Sequence, residues 1–185
     1  MPLGSARFGL LSAVAGGSLE LISSQSSTTG DSVMDFSNIK ESDYKVHFLT
    51  YTNFQPSDDS RGLGIRFFED GTLEDASVYK FGYKYMDTGA SNSLTTSYSH
   101  IRAVYSTGNA ANESGSGQSW FYKLGGSSTQ SYQNMSHAQI YGAGVLRVIW
   151  GGGILPQESN IDGIRLFPVV GTIDALDASL YGVKV

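Results

Sequence analysis

Three features of the sequence predict an all-β fold, an antiparallel β-sandwich of jelly-roll-like form with about ten strands. Apolar and polar side chains alternate with a two-residue period, as in Tyr79, Phe81, Tyr83 and Tyr85 against Lys80, Gly82 and Lys84. Twenty-three glycines, only four prolines and eleven tyrosines make a turn-rich chain with strong strand formers between the turns. The chain also closes on strand-like sequence, IDGIRLFPVVGTIDALDASLYGVKV, with no polar tail after Val185.

The first eighteen residues stand apart. Residues 1–18 are rich in glycine, and Leu3, Phe8, Leu10 and Leu11 are among their few sizeable apolar side chains. Too glycine-rich for a good helix, this segment reads either as an arm that reaches a neighbouring subunit or scaffold, or as an irregular edge strand on its own subunit. Phe8 to Ala15 is at the short end for a secretory leader and is not read as one. Residues 19–185 read as one domain, since a sandwich of this length is normally one.

Taken in order, Leu19 and Leu21 begin the first strand, and Val33 to Phe36 follow a turn at Thr28 to Asp31. Tyr44, Val46 and Phe48 share a face with Lys45 and His47 opposite, and the alternation is expected to end near Phe48 in a bulge or a doubly buried strand. His47 reads as a surface or cross-strand residue. Leu63, Ile65 and Phe67 lead to Asp70-Gly71, a hairpin signal because glycine takes the positive φ of tight turns. Asp70, Glu74 and Asp75 are weak candidates for a calcium site, lacking the spacing of a known loop.

Met86 to Ser97, Thr107 to Gln118 and Gly125 to Ser136 are polar clusters read as loops. Ile101 to Tyr105, Ser119 to Leu124, Gln139 to Gly142 and Val145 to Trp150 are strands between and after them. Gly151-Gly152-Gly153 is expected to break the last of these, and Trp150 beside it reads as core, with a partner anchor as the alternative. In the closing stretch Ile164 and Leu166 share one face, and Tyr181, Val183 and Val185 share another.

Composition narrows the function. Charged residues are 16% of the chain, against roughly 25% in ordinary soluble domains, which suits a surface held against neighbours. The net charge of -5 and singly scattered Lys and Arg give no footprint for nucleic acid. Without cysteine the chain has neither disulfides nor thiolate metal sites. No stretch approaches the ~18 apolar residues of a membrane span, so no membrane insertion is expected. There is no Gly-x-Ser-x-Gly elbow and no legible carboxylate pair, so neither enzyme activity nor a cofactor is expected.

The ending Ile161-x-x-Ile164-Arg165-x-Phe167, with Leu180-Tyr181-Gly182-x-Lys184, resembles the closing hairpin of small all-β virion structural proteins of tailed bacteriophages, marine and cyanobacterial ones especially. The run Arg66 to Gly71 and the opening Leu19 to Ile22 resemble the same family. The resemblance implies a jelly-roll-like virion protein of fibre, receptor-binding or capsid-decoration type, often a homotrimer. It implies contact with other virion proteins, which the N-terminal arm would supply.

The aromatic row is the candidate recognition feature. Most such rows are core; the alternative is that tyrosines at one end stack on host-surface glycan. The candidate glycan-binding residues are Tyr83, Tyr85, Tyr98, Trp120 and Tyr132. A carbohydrate-binding module of non-viral origin is the competing reading.

Overall fold

The computed structural model describes residues 18–28, 30–141 and 144–184, and among these the regular structure is all strand. In chain order the strands are β1 (Leu19–Ser27), β2 (Met34–Ser37), β3 (Val46–Pro56), β4 (Arg61–Glu69), β5 (Thr72–Leu73), β6 (Tyr79–Met86) and β7 (Ala90–Tyr98). They continue with β8 (Ile101–Thr107), β9 (Gly115–Tyr122), β10 (Ser131–Tyr141), β11 (Val145–Leu155), β12 (Ile161–Pro168) and β13 (Ile173–Val183). One sheet has eight strands in the order β1-β13-β3-β9-β10-β11-β6-β7. The other has five, β2-β12-β4-β5 with β8 also on β4. A jelly roll divides eight strands between two Greek keys; here a wide sheet faces a narrow one.

The two sheets share one apolar core. Phe67 of the small sheet meets Phe121 of the large one edge to face, with ring centroids 5.8 Å apart. Tyr51 crosses the gap to donate its hydroxyl to the Ala103 carbonyl at 3.2 Å, so the buried phenol has the partner that burial demands. Tyr79 does the same at another point, donating to the Glu74 carbonyl and accepting from the Phe67 N–H, each at 3.0 Å. Burial pushes the ionisation of both phenols far above the usual tyrosine range.

The Asp70-Gly71 hairpin forms as expected. Asp70 and Gly71 have φ of 47° and 80° between paired Glu69 and Thr72, the positive pair that a two-residue turn of matching twist requires. Asp70 and Glu74 face partners within this corner: Glu74 accepts from the Ala76 N–H at 2.8 Å and from Gln157 at 3.1 Å. Asp75 is exposed. No group of three or more metal-ligating residues occurs among the described residues.

Elsewhere the structure departs from the sequence reading. The closing stretch is not a hairpin, because β12 lies in the small sheet between β2 and β4 while β13 lies in the large one between β1 and β3. Ile164 and Leu166 are buried as expected, but Tyr181 and Val183 face outward and the buried face of β13 is Leu176, Ala178 and Leu180. In β3 the inward face is His47, Leu49 and Tyr51, an unbroken alternation. The bulge comes later, at Asn53, where φ is 57° and the pairing with β9 shifts between Tyr51 and Phe54. His47 is therefore a core residue, its Nε2 2.8 Å from the Ile39 carbonyl oxygen.

The polar cluster Met86 to Ser97 contains strand β7, and the other two clusters give up their last residues to β9 and β10. The triple glycine does not break β11. Its three residues pair with β10 and β6 in continuous register. A Cβ on Gly151 would lie 2.7 Å from the Tyr83 Cα and one on Gly153 2.9 Å from the Ile101 side chain, so glycine here makes room for core residues on the inner face. Leu3, Phe8, Leu10 and Leu11 lie outside the described residues.

Gly182 shows the same close approach at the chain's end. A Cβ there would lie 2.3 Å from the Tyr44 ring, whose hydroxyl donates to Glu20 at 2.6 Å. Replacing Gly182 by alanine is expected to destabilise the protein by about 1–3 kcal/mol through overpacking, a shift readable in the urea midpoint. An unchanged midpoint would show that Tyr44 is not held against β13.

Candidate functional site

Antiparallel register aligns the outward side chains of the large sheet into rows. One row runs from Leu19 through Val183, Val46, Tyr122 and Tyr132 to Ile154 and Lys80. The next runs from Leu21 through Tyr181, Phe48 and Trp120 to Asn134, Gly152, Gly82 and Leu94. The face divides into two halves. From β1 to β9 it is aliphatic and aromatic, with the Phe48 ring 4.2 Å from Trp120 and 6.2 Å from Tyr181. Leu21 at the margin is 58% exposed. A broad apolar surface of this kind marks a contact region more often than an ordinary surface.

From β10 to β7 the face is grooved. Gly152 and Gly82 are direct partners across β11 and β6, and neither carries a side chain to fill the space above. Asn134 leans in from one side, where a Cβ on Gly152 would come within 2.9 Å of its Oδ1, and Leu94 from the other, 3.3 Å from the Cβ position of Gly82. The trough holds about 330 Å³ and is also lined by Tyr132 and Lys80. Tyr132 is 45% exposed, Leu94 77%, and Trp150, two residues along β11 from Gly152 on the same face, 41%. Trp150 is therefore not core. It is an exposed indole on the outer face beyond the trough's lining, with Ser136 and Lys84 as its direct cross-strand neighbours.

The five residues singled out for glycan binding do not form one site. Trp120 and Tyr132 lie on this outer face, on paired strands. Tyr83, Tyr85 and Tyr98 turn toward the small sheet: Tyr83 is buried, and Tyr85 and Tyr98 are half-buried against the core. Tyr85 stacks on Tyr105 at 5.9 Å, Tyr83 meets Tyr105 at 5.7 Å, and Tyr98 meets Phe81 edge-on at 5.6 Å. The aromatic row is thus core, continued beyond its end by charged groups.

Those charged groups were not legible as a site. Arg147, on the inner face of β11, is buried and lies over the Tyr141 and Tyr85 rings at 3.8 and 4.5 Å. It donates to Asp87 Oδ2 from NH2 at 2.7 Å and from Nε at 3.1 Å. The hydrogen bond from Arg147 holds the Asp87 carboxyl below its usual range, the Gly89 N–H adding to the effect. Arg102 of β8 lies over the Tyr98 and Tyr105 rings at 5.3 and 5.1 Å.

All three histidines are in the interior. Burial pushes His137 and His100 down to about 4, with nearby arginine charge acting the same way in each, and lowers His47. His137 Nε2 is 3.0 Å from Gln139 Oε1, and Gln139 donates in turn to the Ser106 carbonyl. They are neutral, structural residues at neutral pH. Compared with known protein families, curated proteins and solved structures, the chain matches none of them.

Proposed function

We propose that the protein is a structural attachment component of a virion, of the tail-fibre or appendage kind, and that the trough over Gly82 and Gly152 holds a neutral host-surface glycan. The observation that carries this reading is a groove floored by paired glycines and bordered by the exposed Tyr132 ring and the Asn134 amide, with the exposed Trp150 two residues along the same face. Such a frame offers ring faces to the C–H face of a sugar while Asn134, Lys80 and Lys84 reach its hydroxyls. Apolar clefts with a few placed polar groups are the usual form of a small-ligand site.

The test is a glycan array followed by calorimetric titration of the best oligosaccharide. Trp150→Ala and Tyr132→Ala are each expected to weaken binding about five- to tenfold, the worth of one aromatic contact, with thermal stability unchanged because both rings are exposed. Absence of binding to any glycan, or binding indifferent to both substitutions, would sink the reading.

The apolar half of the same face favours a second role, assembly. An acidic protein with few charges and a flat row of Leu21, Tyr181, Phe48 and Trp120 suits packing against copies of itself, most simply in a homotrimer, or against other virion proteins. Sedimentation should then give a trimer that Phe48→Glu dissociates. A monomer at high concentration would leave capsid decoration and virion assembly without support and favour a carbohydrate-binding module.

A further inference from the structure

A second cleft lies away from the outer face, where β4 meets β8. Arg61 and Arg102 come from these strands, 41 positions apart in sequence, because Gly64 pairs with Arg102 and Arg61 with Thr107. With Ser60, Tyr105, Ser106 and Val170 they line a cavity of about 240 Å³. That is just under the roughly 300–1,000 Å³ of drug-sized ligand pockets, the scale of one small acid.

Its charge is only partly balanced. Arg102 is half-buried and has no carboxylate partner among the described residues; its Nη2 donates to the Tyr98 hydroxyl, at 2.8 Å. Arg61 forms a loose ion pair with Asp58, Nε to Oδ2 4.0 Å, too long for a hydrogen bond. The Nε–H groups of both arginines are buried without an acceptor. Arg66 nearby donates to the Ser99 carbonyl at 2.9 Å and has no carboxylate partner among the described residues. The neighbouring His100 is held neutral by burial and by the charges of Arg102 and Arg66.

Guanidinium groups with donors to spare call for an acceptor. Two arginines lining one small space match an oxyanion, and the planar fork of arginine matches a carboxylate in particular. We propose that this cleft binds the carboxylate of a small hydroxylated acid, a hexuronic acid residue being the class that fits, with Arg61 and Arg102 as the anion-holding pair. Ser60 and Ser106 then meet the sugar hydroxyls, and Tyr105 and Val170 its apolar face. The site is independent of the glycine trough and stands if that site fails.

The experiment is calorimetric titration of the full chain with galacturonate, galactose and inorganic sulfate in turn. Galacturonate is expected to bind and galactose not, with sulfate much weaker than galacturonate. Arg61→Gln, at a side chain nearly half exposed, is expected to cost about tenfold in affinity, the worth of one charge-assisted contact. Val170→Asp, at an exposed wall residue, should abolish binding by placing a like charge beside the ligand. Trp150→Ala should leave it untouched. No galacturonate binding, equal binding of sulfate or galactose, or indifference to Arg61→Gln and Val170→Asp would overturn the assignment.

Discussion

Acidification from pH 6.5 to 4 is expected to unfold the protein progressively, with each of His100 and His137 contributing at most about 1.4 kcal/mol per pH unit, reached in the middle of that window. In the folded chain both imidazoles are held neutral down to about 4, by burial first. In the unfolded chain they take up protons near the ordinary histidine value of about 6.5. The unfolded state therefore binds more protons between the two values, and stability falls as pH falls. Above pH 6.5 neither state is protonated and the effect vanishes; below 4 it is complete. The paired carboxylate of Asp87 acts lower still, since its contribution is present above the ordinary aspartate value and is lost as pH drops through its depressed folded value. Urea midpoints at pH 7.5, 6 and 5 read the slope, and His137→Gln should make it shallower by one histidine's share. A flat profile from pH 7 to 5 would show that the histidines are not buried as described.

Removing Leu180–Val185 is expected to abolish cooperative folding. Of these, Leu180 to Val183 belong to an inner strand of the large sheet, with β1 on one side and β3 on the other. Their loss leaves Leu19 to Leu21 without a partner, empties the place of the fully buried Leu180 and exposes the far end of β3 at Val46 to Leu49. Leu180→Ala alone should cost about 2–5 kcal/mol, against a total stability of about 5–15 kcal/mol for a domain. A truncated chain that still melts in one sharp transition would mean that β13 is dispensable, contrary to its position in the sheet.

The β character of the chain was legible because its central strands obey the period of two. Tyr79, Phe81 and Tyr83 alternate with lysines and glycine, and the structure buries that face. What escaped were strands with no greasy face to read. Strand β7, ASNSLTTSY, is an edge strand whose one large aliphatic residue, Leu94, points outward and whose only inward ring, Tyr98, stands at its very end, so burial left little mark on its sequence. Gly151 to Gly153 look like a break, yet each glycine answers to a neighbour across the sheet that sequence alone does not reveal. Polar residues on the inner face misled in the other direction, as His47 was assigned to the surface when its turn in the alternation with Leu49 and Tyr51 is inward.

The candidate sites were less legible than the fold, for a topological reason. Trp120 and Tyr132 were identified from residue type, but the trough itself depends on β11 lying beside β6, some 70 residues earlier in the chain. Trp150, taken for core, proved to be exposed on the same face. The Arg61 and Arg102 pair is likewise created by strand pairing, and only the imbalance of charge around it, visible once the strands are assembled, marks it out.

The pairing of the first strand with the last also has a kinetic side. Ser18 accepts a hydrogen bond from the Lys184 N–H at 3.1 Å, so the start of β1 and the end of β13 meet at one corner of the large sheet. During synthesis β1 leaves the ribosome long before its neighbour exists, and ordering must wait for the whole domain to emerge. Contacts so remote in sequence make for slow folding. Leu19 and Leu21 remain unpaired throughout that interval.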